Sequence, residues 1–215
     1  SELNQIRLAA EKNPELKLMV GFNRRFSPLI EKMKTLLDSL SQPKTFIMTV
    51  NAGKIPADHW TQDLKVGGGR IIGEACHFVD LLRFLSGASI MGFQVSQIGG
   101  NVDLKDDKVT IILNFSDGSM GTIHYFSNGS DLFPKERLEA FCDNRILQLD
   151  DFRQLVGYGF KGFKKMKLRQ QNKGQQACAD KFVGALREGT SSPIPFDEIV
   201  EVSDTVIQIS DQFER

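Results

Sequence analysis

The feature that most constrains the fold is a run of five segments between residues 90 and 150 in which apolar and polar side chains alternate. A period of two is typical of half-buried β-strands, because successive side chains of a strand point to opposite faces. Asp117-Gly118 and Asp143-Asn144 are turn sequences between neighbouring segments. The pattern therefore predicts a largely antiparallel sheet with strands at 90–98, 108–115, 119–126, 136–142 and 145–150.

Helical periodicity flanks this run of strands. A helix begins at Pro28, and residues 71–86 form the clearest helix, since their apolar side chains share one face and a glycine follows. Residues 44–51 are rich in β-forming side chains. Two further helices, at 174–188 and 196–213, close the chain. This order predicts an α+β fold: an open, mostly antiparallel sheet with helices on one face.

The first 22 residues follow a different order. Residues 2–12 have a helix-forming composition, Asn13-Pro14 ends that helix, and the apolar stretch 16–22 predicts a short buried strand. A helix followed directly by an apolar strand is half of an α/β repeat unit. We therefore expect residues 1–22 to be the tail of an α/β domain whose earlier units lie outside this chain.

The charge balance and the apolar runs limit the partners. Lysine plus arginine (27) equal aspartate plus glutamate (27), so no net field favours nucleic acid or an anionic membrane. No apolar run approaches the roughly 20 residues that span a bilayer, and the first residues lack the apolar core of a secretory signal. We expect a cytoplasmic protein with three reduced cysteines and a small-molecule ligand.

His77 is the strongest candidate for chemistry. It follows a glycine-rich loop near the start of the clearest helix, with Glu74 three residues before it and Asp80 three residues after it. Residues three apart share a helix face, and an imidazole beside a carboxylate is how a proton shuttle near neutral pH is built. The alternative interpretation is a structural histidine at a helix start with ordinary polar neighbours.

The glycines before this helix do not form a nucleotide site. Gly67, Gly69 and Gly73 resemble the fingerprint GxGxxG, but the last spacing is one residue too long and no strand precedes them. We therefore do not expect this loop to hold a phosphate.

Two motifs resemble the Gfo/Idh/MocA oxidoreductase family, in which a glycine run leads into a helix bearing a catalytic histidine. They are GFNRRFSP at 21–28 and GGGRIIGEACHFVDLLRFLSG at 67–87. Four further stretches are more specific and resemble the bi-domain oxidoreductases, in which a zinc-alcohol-dehydrogenase-like half precedes the Gfo/Idh/MocA half. These are NAGKIPADHW (51–60), FPKERLEAF (133–141), LQLDDFRQLVGYG (147–159) and PIPFDEIVEV (193–202).

The resemblance implies a division of the chain and an activity. It implies that residues 1–22 are a remnant of a Rossmann nucleotide-binding domain and that residues 23–215 are a substrate-binding and oligomerisation α+β domain. It also implies hydride transfer between a sugar-like or polyol hydroxyl and NAD or NADP, and a homodimer or larger assembly through the exposed sheet face. The nucleotide fingerprint and the family's Glu-Lys-Pro lysine are expected before residue 1, so the chain alone is expected to bind no cofactor and to be inactive.

The family histidine matches His77, but its surroundings depart from the family pattern. The family carries an aspartate four residues before the histidine, where this chain has Gly73. Glu74 is expected to replace it, because residues three apart on a helix still let a carboxylate reach the ring. The predicted catalytic residues are therefore His77 and Glu74.

Weaker predictions concern residues around the glycine run and at the start of the second domain. Arg24 and Arg25 are candidates for a cofactor phosphate, with an ordinary ion pair as the alternative. The long loop before the helix is typical of a site lining. It supplies the candidate substrate-binding residues His59, Trp60, Lys65 and Arg70.

Two alternative functions remain open at this point. The departure at Gly73 fits a non-catalytic ligand-binding and oligomerisation module. A metal hydrolase using His59, His77 and His124 is disfavoured, because no HxH or HxxxH spacing is present, and no metal site is predicted.

Overall fold

The protein forms an eight-stranded open sheet with helices packed on one face. The computed structural model describes residues 2–56, 58–62, 66–98 and 107–213. The strands are β1 (Thr45–Asn51), β2 (Ile90–Gln97), β3 (Lys108–Phe115), β4 (Met120–Phe126), β5 (Glu136–Cys142), β6 (Arg145–Asp150), β7 (Gln154–Tyr158) and β8 (Lys165–Lys167). The helices are α1 (Glu2–Lys12), α2 (Pro28–Asp38), α3 (Cys76–Ser86), α4 (Gln175–Glu188) and α5 (Phe196–Asp211). None of these described helices is long and apolar enough to cross a membrane.

The strand order is β2-β3-β4-β1-β5-β6-β7-β8. Strand β1 lies in the middle, parallel to β4 and antiparallel to β5, and the other neighbouring pairs are antiparallel. The predicted α+β fold with a mostly antiparallel sheet is therefore confirmed. The parallel pair brings the carboxyl ends of β1 and β4 to the edge where β5 begins, and the candidate site lies at this edge.

One face of the sheet carries the core. Phe46, Met48 and Val50 of β1 alternate onto this face, as their spacing predicts, and all three are fully buried. Leu29 of α2 and Leu82 of α3 are equally buried in the same hydrophobic cluster. Burying a side chain of this size stabilises the fold by roughly 1.5–3 kcal/mol.

Two hairpin turns connect β5 to β6 and β6 to β7, and only the first of them was predicted from the sequence. Asp143 and Asn144 both have positive φ (47° and 54°), as a two-residue turn of matching twist requires. Asp151 (46°) and Phe152 (53°) make the same kind of turn between β6 and β7 without the usual asparagine or glycine. The buried Phe152 ring anchors that turn in the core.

Residues 161–169 are rich in basic side chains and contain an edge strand that the sequence analysis does not predict. Strand β8 lies within this stretch and pairs antiparallel with β7 at the edge of the sheet. Its lysines are compatible with an edge strand, because exposed charges at a sheet edge disfavour pairing with other chains.

The N-terminal segment also differs from the prediction. Helix α1 forms, but it buries none of its side chains, and residues 16–22 are not a strand. Leu16 is 69% exposed. A strand needs a neighbour to satisfy its backbone groups, and no strand of the described residues pairs with this segment.

The helix predicted at 71–86 has two parts. Ile71–Ala75 form a π-helical turn, and α3 follows and ends at Gly87, whose φ of 73° closes the helix. Such π-turns are rare and frequently occur at functional sites. Glu74 lies within this turn, and His77 lies just after it.

Candidate active site

His77 lies in the first turn of α3 with its ring packed edge-on against Phe22. The ring centroids are 6.1 Å apart at an interplanar angle of 81°. The buried Nδ1 atom has no hydrogen-bond partner among the described residues. The Phe22 ring and the start of α3 therefore fix the position of the imidazole without a hydrogen bond to Nδ1 from the described part of the chain.

The electrostatic surroundings keep this imidazole uncharged. Burial and the nearby Arg24 guanidinium lower the pKa of His77, while the Glu136 and Glu74 carboxylates raise it in part, and the result is about 4. At neutral pH the ring is therefore able to accept a proton.

Glu74 is engaged by three donors, none of which is His77. Arg70 Nη2 donates to Oε2 at 3.0 Å, the Tyr125 hydroxyl donates to the same oxygen, and Lys135 Nζ donates to Oε1 at 2.6 Å. The predicted contact between Glu74 and the Nδ1 atom of His77 does not form. Although burial raises the pKa of Glu74, the hydrogen bonds from Lys135 and Tyr125 lower it to about 2. Glu74 is thus a permanent anion that holds Lys135 in place.

Arg70 is a buried residue that connects the loop after β1 to the π-turn. It is buried, donates to the backbone oxygens of Gly53 (2.7 Å) and Ala52 (3.2 Å), and lies over the Tyr125 ring at 5.2 Å. These contacts fasten the loop after β1 to the π-turn. They favour a supporting role for Arg70 over the predicted contact with substrate.

Arg24 and Arg25 lie in buried ion pairs. Arg24 binds Glu136 through Nε (2.8 Å) and Nη2 (3.0 Å), and Arg25 binds Asp80 through Nε (3.1 Å) and Nη2 and Glu198 through Nη1 (2.9 Å). A cofactor phosphate would have to compete with these carboxylates. The predicted cofactor contacts of Arg24 and Arg25 stay predictions, and the geometry favours the alternative of structural ion pairs.

The loop before the glycine run presents an aromatic surface. Trp60 is 61% exposed, and its ring centroid lies 5.9 Å from that of His59, whose Nδ1 is 2.9 Å from the Thr61 hydroxyl. No described contact joins these two residues to His77. Lys65, the third predicted substrate residue of the loop, lies outside the described residues.

Lys135 and Tyr125 were missed as site residues by sequence reasoning. Lys135 precedes β5, Tyr125 lies on β4, and both reach the Glu74 carboxylate across long sequence separations. The only sequence signal for Lys135 was its place in the stretch FPKERLEAF. The Lys135 side chain is 40% exposed, so this ion pair is partly open to solvent.

The glycine-rich loop before α3 is a tight turn. Gly68 and Gly69 have positive φ (69° and 77°), and a Cβ on Gly67 would lie 2.5 Å from the Thr61 Cα atom. These glycines therefore serve a tight turn packed against the loop backbone, and no strand leads into it. Within the described ranges, no group of three potential ligands is placed to bind a metal.

Known proteins share sequence and fold with this chain. Residues 37–140 match the family model described as the oxidoreductase family, C-terminal alpha/beta domain. An uncharacterized oxidoreductase, YrbE, of Bacillus subtilis is 28% identical over 128 residues, which are 54% of this chain and 35% of that protein. Myo-inositol 2-dehydrogenase of Thermotoga maritima is 25% identical over 153 residues, 66% of this chain and 44% of that protein. The chain thus spans less than half the length of these relatives.

Solved structures share the fold at low sequence identity. An oxidoreductase domain protein from Kribbella flavida has a TM-score of 0.80 at 19% identity, covering 100% of this chain and 69% of that one. A levoglucosan dehydrogenase in complex with NADH and levoglucosan has a TM-score of 0.75 at 19% identity, covering 95% and 66%. UDP-N-acetylglucosamine 3-dehydrogenase from Acidithiobacillus ferrooxidans has a TM-score of 0.75 at 18% identity, covering 98% and 65%.

Proposed function

Because this chain belongs to the Gfo/Idh/MocA oxidoreductase family through its C-terminal α/β domain, we propose that it forms the substrate side of an NAD(P)-dependent dehydrogenase. The proposed substrate carries a sugar-like or polyol hydroxyl. The names of the relatives support this class, since they include a myo-inositol dehydrogenase and a levoglucosan dehydrogenase bound to NADH. We further propose that the nucleotide is held by a Rossmann domain outside the matched C-terminal domain, so that this chain alone binds no NAD(P) and is inactive.

The observation that carries the proposal is the buried imidazole of His77 at the start of α3, three residues after the Glu74 carboxylate that holds the Lys135 ammonium. Oxidation of an alcohol removes a proton from oxygen and a hydride from carbon, and nicotinamide, when bound, accepts the hydride. We assign the proton to His77 because only a neutral ring can accept it. Lys135, held by Glu74, would donate a hydrogen bond to the substrate oxygen. Trp60 and His59 would offer an apolar face to the sugar ring.

The pH profile of the reaction tests this assignment. We expect kcat/KM to fall on the acid side with a midpoint near pH 4, the pKa of His77, because protonation removes its ability to accept a proton. An ordinary histidine would place this midpoint near about 6.5. The measurement is the initial rate of NAD(P) reduction across pH by the protein expressed from its complete coding sequence.

The Lys135→Met variant tests whether the acid midpoint of this pH profile belongs to His77. The ammonium of Lys135 lowers the pKa of His77, so its removal is expected to move the acid midpoint to higher pH. An acid midpoint near about 6.5 in the unmodified protein, or one that Lys135→Met leaves unchanged, would argue against His77 as the proton acceptor beside Lys135.

The open face of the sheet supports a further part of the proposal, a homodimer or larger assembly. Ile47 of β1 and Ile112 of β3 are half-buried and pair in register with Thr122 of β4, so the two isoleucines flank this threonine in a row across three strands on the face away from the helices. Met120 and Phe126 on the same face of β4 are exposed. Apolar patches of this kind usually mark an interface.

A charge in this row is expected to separate the subunits. Ile112→Lys would bury an unpaired ammonium in the interface, and we expect the mass measured by light scattering to fall to that of one chain. The matched control is Leu186→Lys on α4, which changes an exposed leucine away from the sheet and should keep the assembly. A monomeric unmodified protein, or an Ile112→Lys variant of unchanged mass, would contradict the sheet-face interface.

A further inference from the structure

An open cavity shares Lys135 with the candidate active site. It has a volume of about 600 Å³ and forms where the segment before β5 meets the β6–β7 turn and the edge strand β8. The residues that matter for its chemistry are Phe133, Lys135, Asp150, Asp151, Arg153 and Lys167. A volume of this size is within the range of small-molecule sites.

Lys135 joins this cavity to the His77 site. Its Nζ donates to Glu74 at 2.6 Å on one side, and the same residue lines the cavity on the other. An ammonium has three donors, and one of them is taken by Glu74. Lys135 is therefore shared between the candidate active site and the lining of the cavity.

The lining charges fit a neutral polyhydroxyl group better than an anion. Among the described residues that line the cavity, the carboxylates of Asp131, Asp150 and Asp151 are matched in number by the cations of Lys135, Arg153 and Lys167. Each hydroxyl both donates and accepts a hydrogen bond, so it can use both kinds of side chain. A phosphate or carboxylate would meet three like charges.

Two further features of the lining indicate a ring-shaped ligand. Phe133 is 58% exposed and Leu132 is almost fully exposed, so an apolar face borders the charged groups. On the polar side, the Asp151 side chain is 22% exposed, and its Oδ2 atom lies 3.8 Å from Nε of Arg153. A sugar ring presents an apolar C–H face to an aromatic side chain while its hydroxyls point to the polar rim.

We propose that this cavity is a subsite for a second sugar ring, so that the substrate is a glycosidically linked sugar rather than a free monosaccharide. This inference rests on the proposed sugar dehydrogenase function and specifies its substrate class. One ring would sit at His77 and Lys135, and the second would stack on Phe133 with its hydroxyls bonded to Asp151 and Arg153.

The test compares disaccharides with their component monosaccharides on the protein expressed from its complete coding sequence. The pairs are cellobiose and glucose, lactose and galactose, and maltose and glucose, with binding followed by saturation-transfer NMR and turnover by reduction of NAD(P). We expect at least one disaccharide to bind about tenfold more tightly than its monosaccharide, and Phe133→Ala or Asp151→Asn to remove most of that advantage without changing monosaccharide binding. The control is Val183→Ala, an exposed apolar residue on α4.

The outcomes separate the subsite from the proposed function. The subsite is wrong if no disaccharide in the panel binds more tightly than its monosaccharide, or if Phe133→Ala and Asp151→Asn weaken both ligands equally. Disaccharide binding that depends on Phe133, with no NAD(P) reduction by any sugar, would keep the subsite and overturn the dehydrogenase. Turnover that depends on His77 but is equally fast for both members of each pair would keep the dehydrogenase and overturn the subsite.

Discussion

Replacing His77 with alanine is expected to lower kcat/KM by about 100-fold or more, because general base catalysis typically contributes at least this factor. The change removes the group that we assign to accept the hydroxyl proton. The ring makes no hydrogen bond through its buried Nδ1, so its loss should disturb the fold little. The measurement is the initial rate of NAD(P) reduction by the protein expressed from its complete coding sequence.

Two controls separate chemistry from folding in this experiment. His124→Gln changes a histidine of β4 whose Nδ1 is 3.1 Å from the Thr110 hydroxyl, and it should leave turnover unchanged because glutamine keeps the volume and a hydrogen-bonding group. Added imidazole is expected to restore part of the activity of His77→Ala by entering the space that the ring leaves. Turnover of His77→Ala within about threefold of the unmodified protein would remove His77 from the mechanism.

The sequence was most informative where one face of an element is buried. Buried and exposed side chains alternate along the strands between residues 90 and 150, because the helices cover only one face of the sheet. This period of two is visible in the sequence. The central position of β1 in the sheet could not be predicted from the sequence. Its pairing with β4 joins residues about 75 positions apart, such as Thr45 and Met120, and no local pattern specifies such a partner.

The site was predicted in part for the same reason. His77 and Glu74 lie on one short stretch, so their proximity is local, but Lys135 and Tyr125 reach Glu74 across 61 and 51 positions. The predicted Glu74–His77 contact assumed α-helical geometry. Glu74 lies in a π-turn, where the wider spiral changes which residues share a face, and its carboxylate turns to Arg70, Tyr125 and Lys135 instead.

Adjacent arginines are ambiguous in sequence because the same side chain suits a phosphate and a carboxylate. Here Arg25 is enclosed with Asp80, and their side chains are 3% and 1% exposed. Burial raises the pKa of the Asp80 carboxyl even with Arg25 beside it. Loss of the guanidinium would therefore leave a carboxylate with no strong partner in the core.

Arg25→Met is expected to lower the free energy of unfolding by about 3–5 kcal/mol, the usual cost of removing one partner of a buried ion pair. Arg187→Met, which changes an exposed arginine on α4, should change it by less than about 0.5 kcal/mol. In an Asp80→Asn background the same Arg25→Met change should cost much less, because the buried carboxylate is absent and the partly exposed Glu198 keeps Arg83 at 3.8 Å. The double-mutant cycle is measured by urea denaturation of the unmodified protein, Arg25→Met, Asp80→Asn and the double variant.

The pH dependence of this defect follows from the sign of the Asp80 shift. Without Arg25 the folded-state pKa of Asp80 rises further above its unfolded value of about 4, so the folded protein holds a proton that the unfolded chain releases. Stability is then lost as pH rises above about 4 and is regained as pH falls towards it. The destabilisation by Arg25→Met should therefore be smaller at low pH than at neutral pH. A defect of equal size at both pH values, or one that Asp80→Asn does not relieve, would show that Arg25 stabilises the domain through packing against Phe84 rather than through the ion pair.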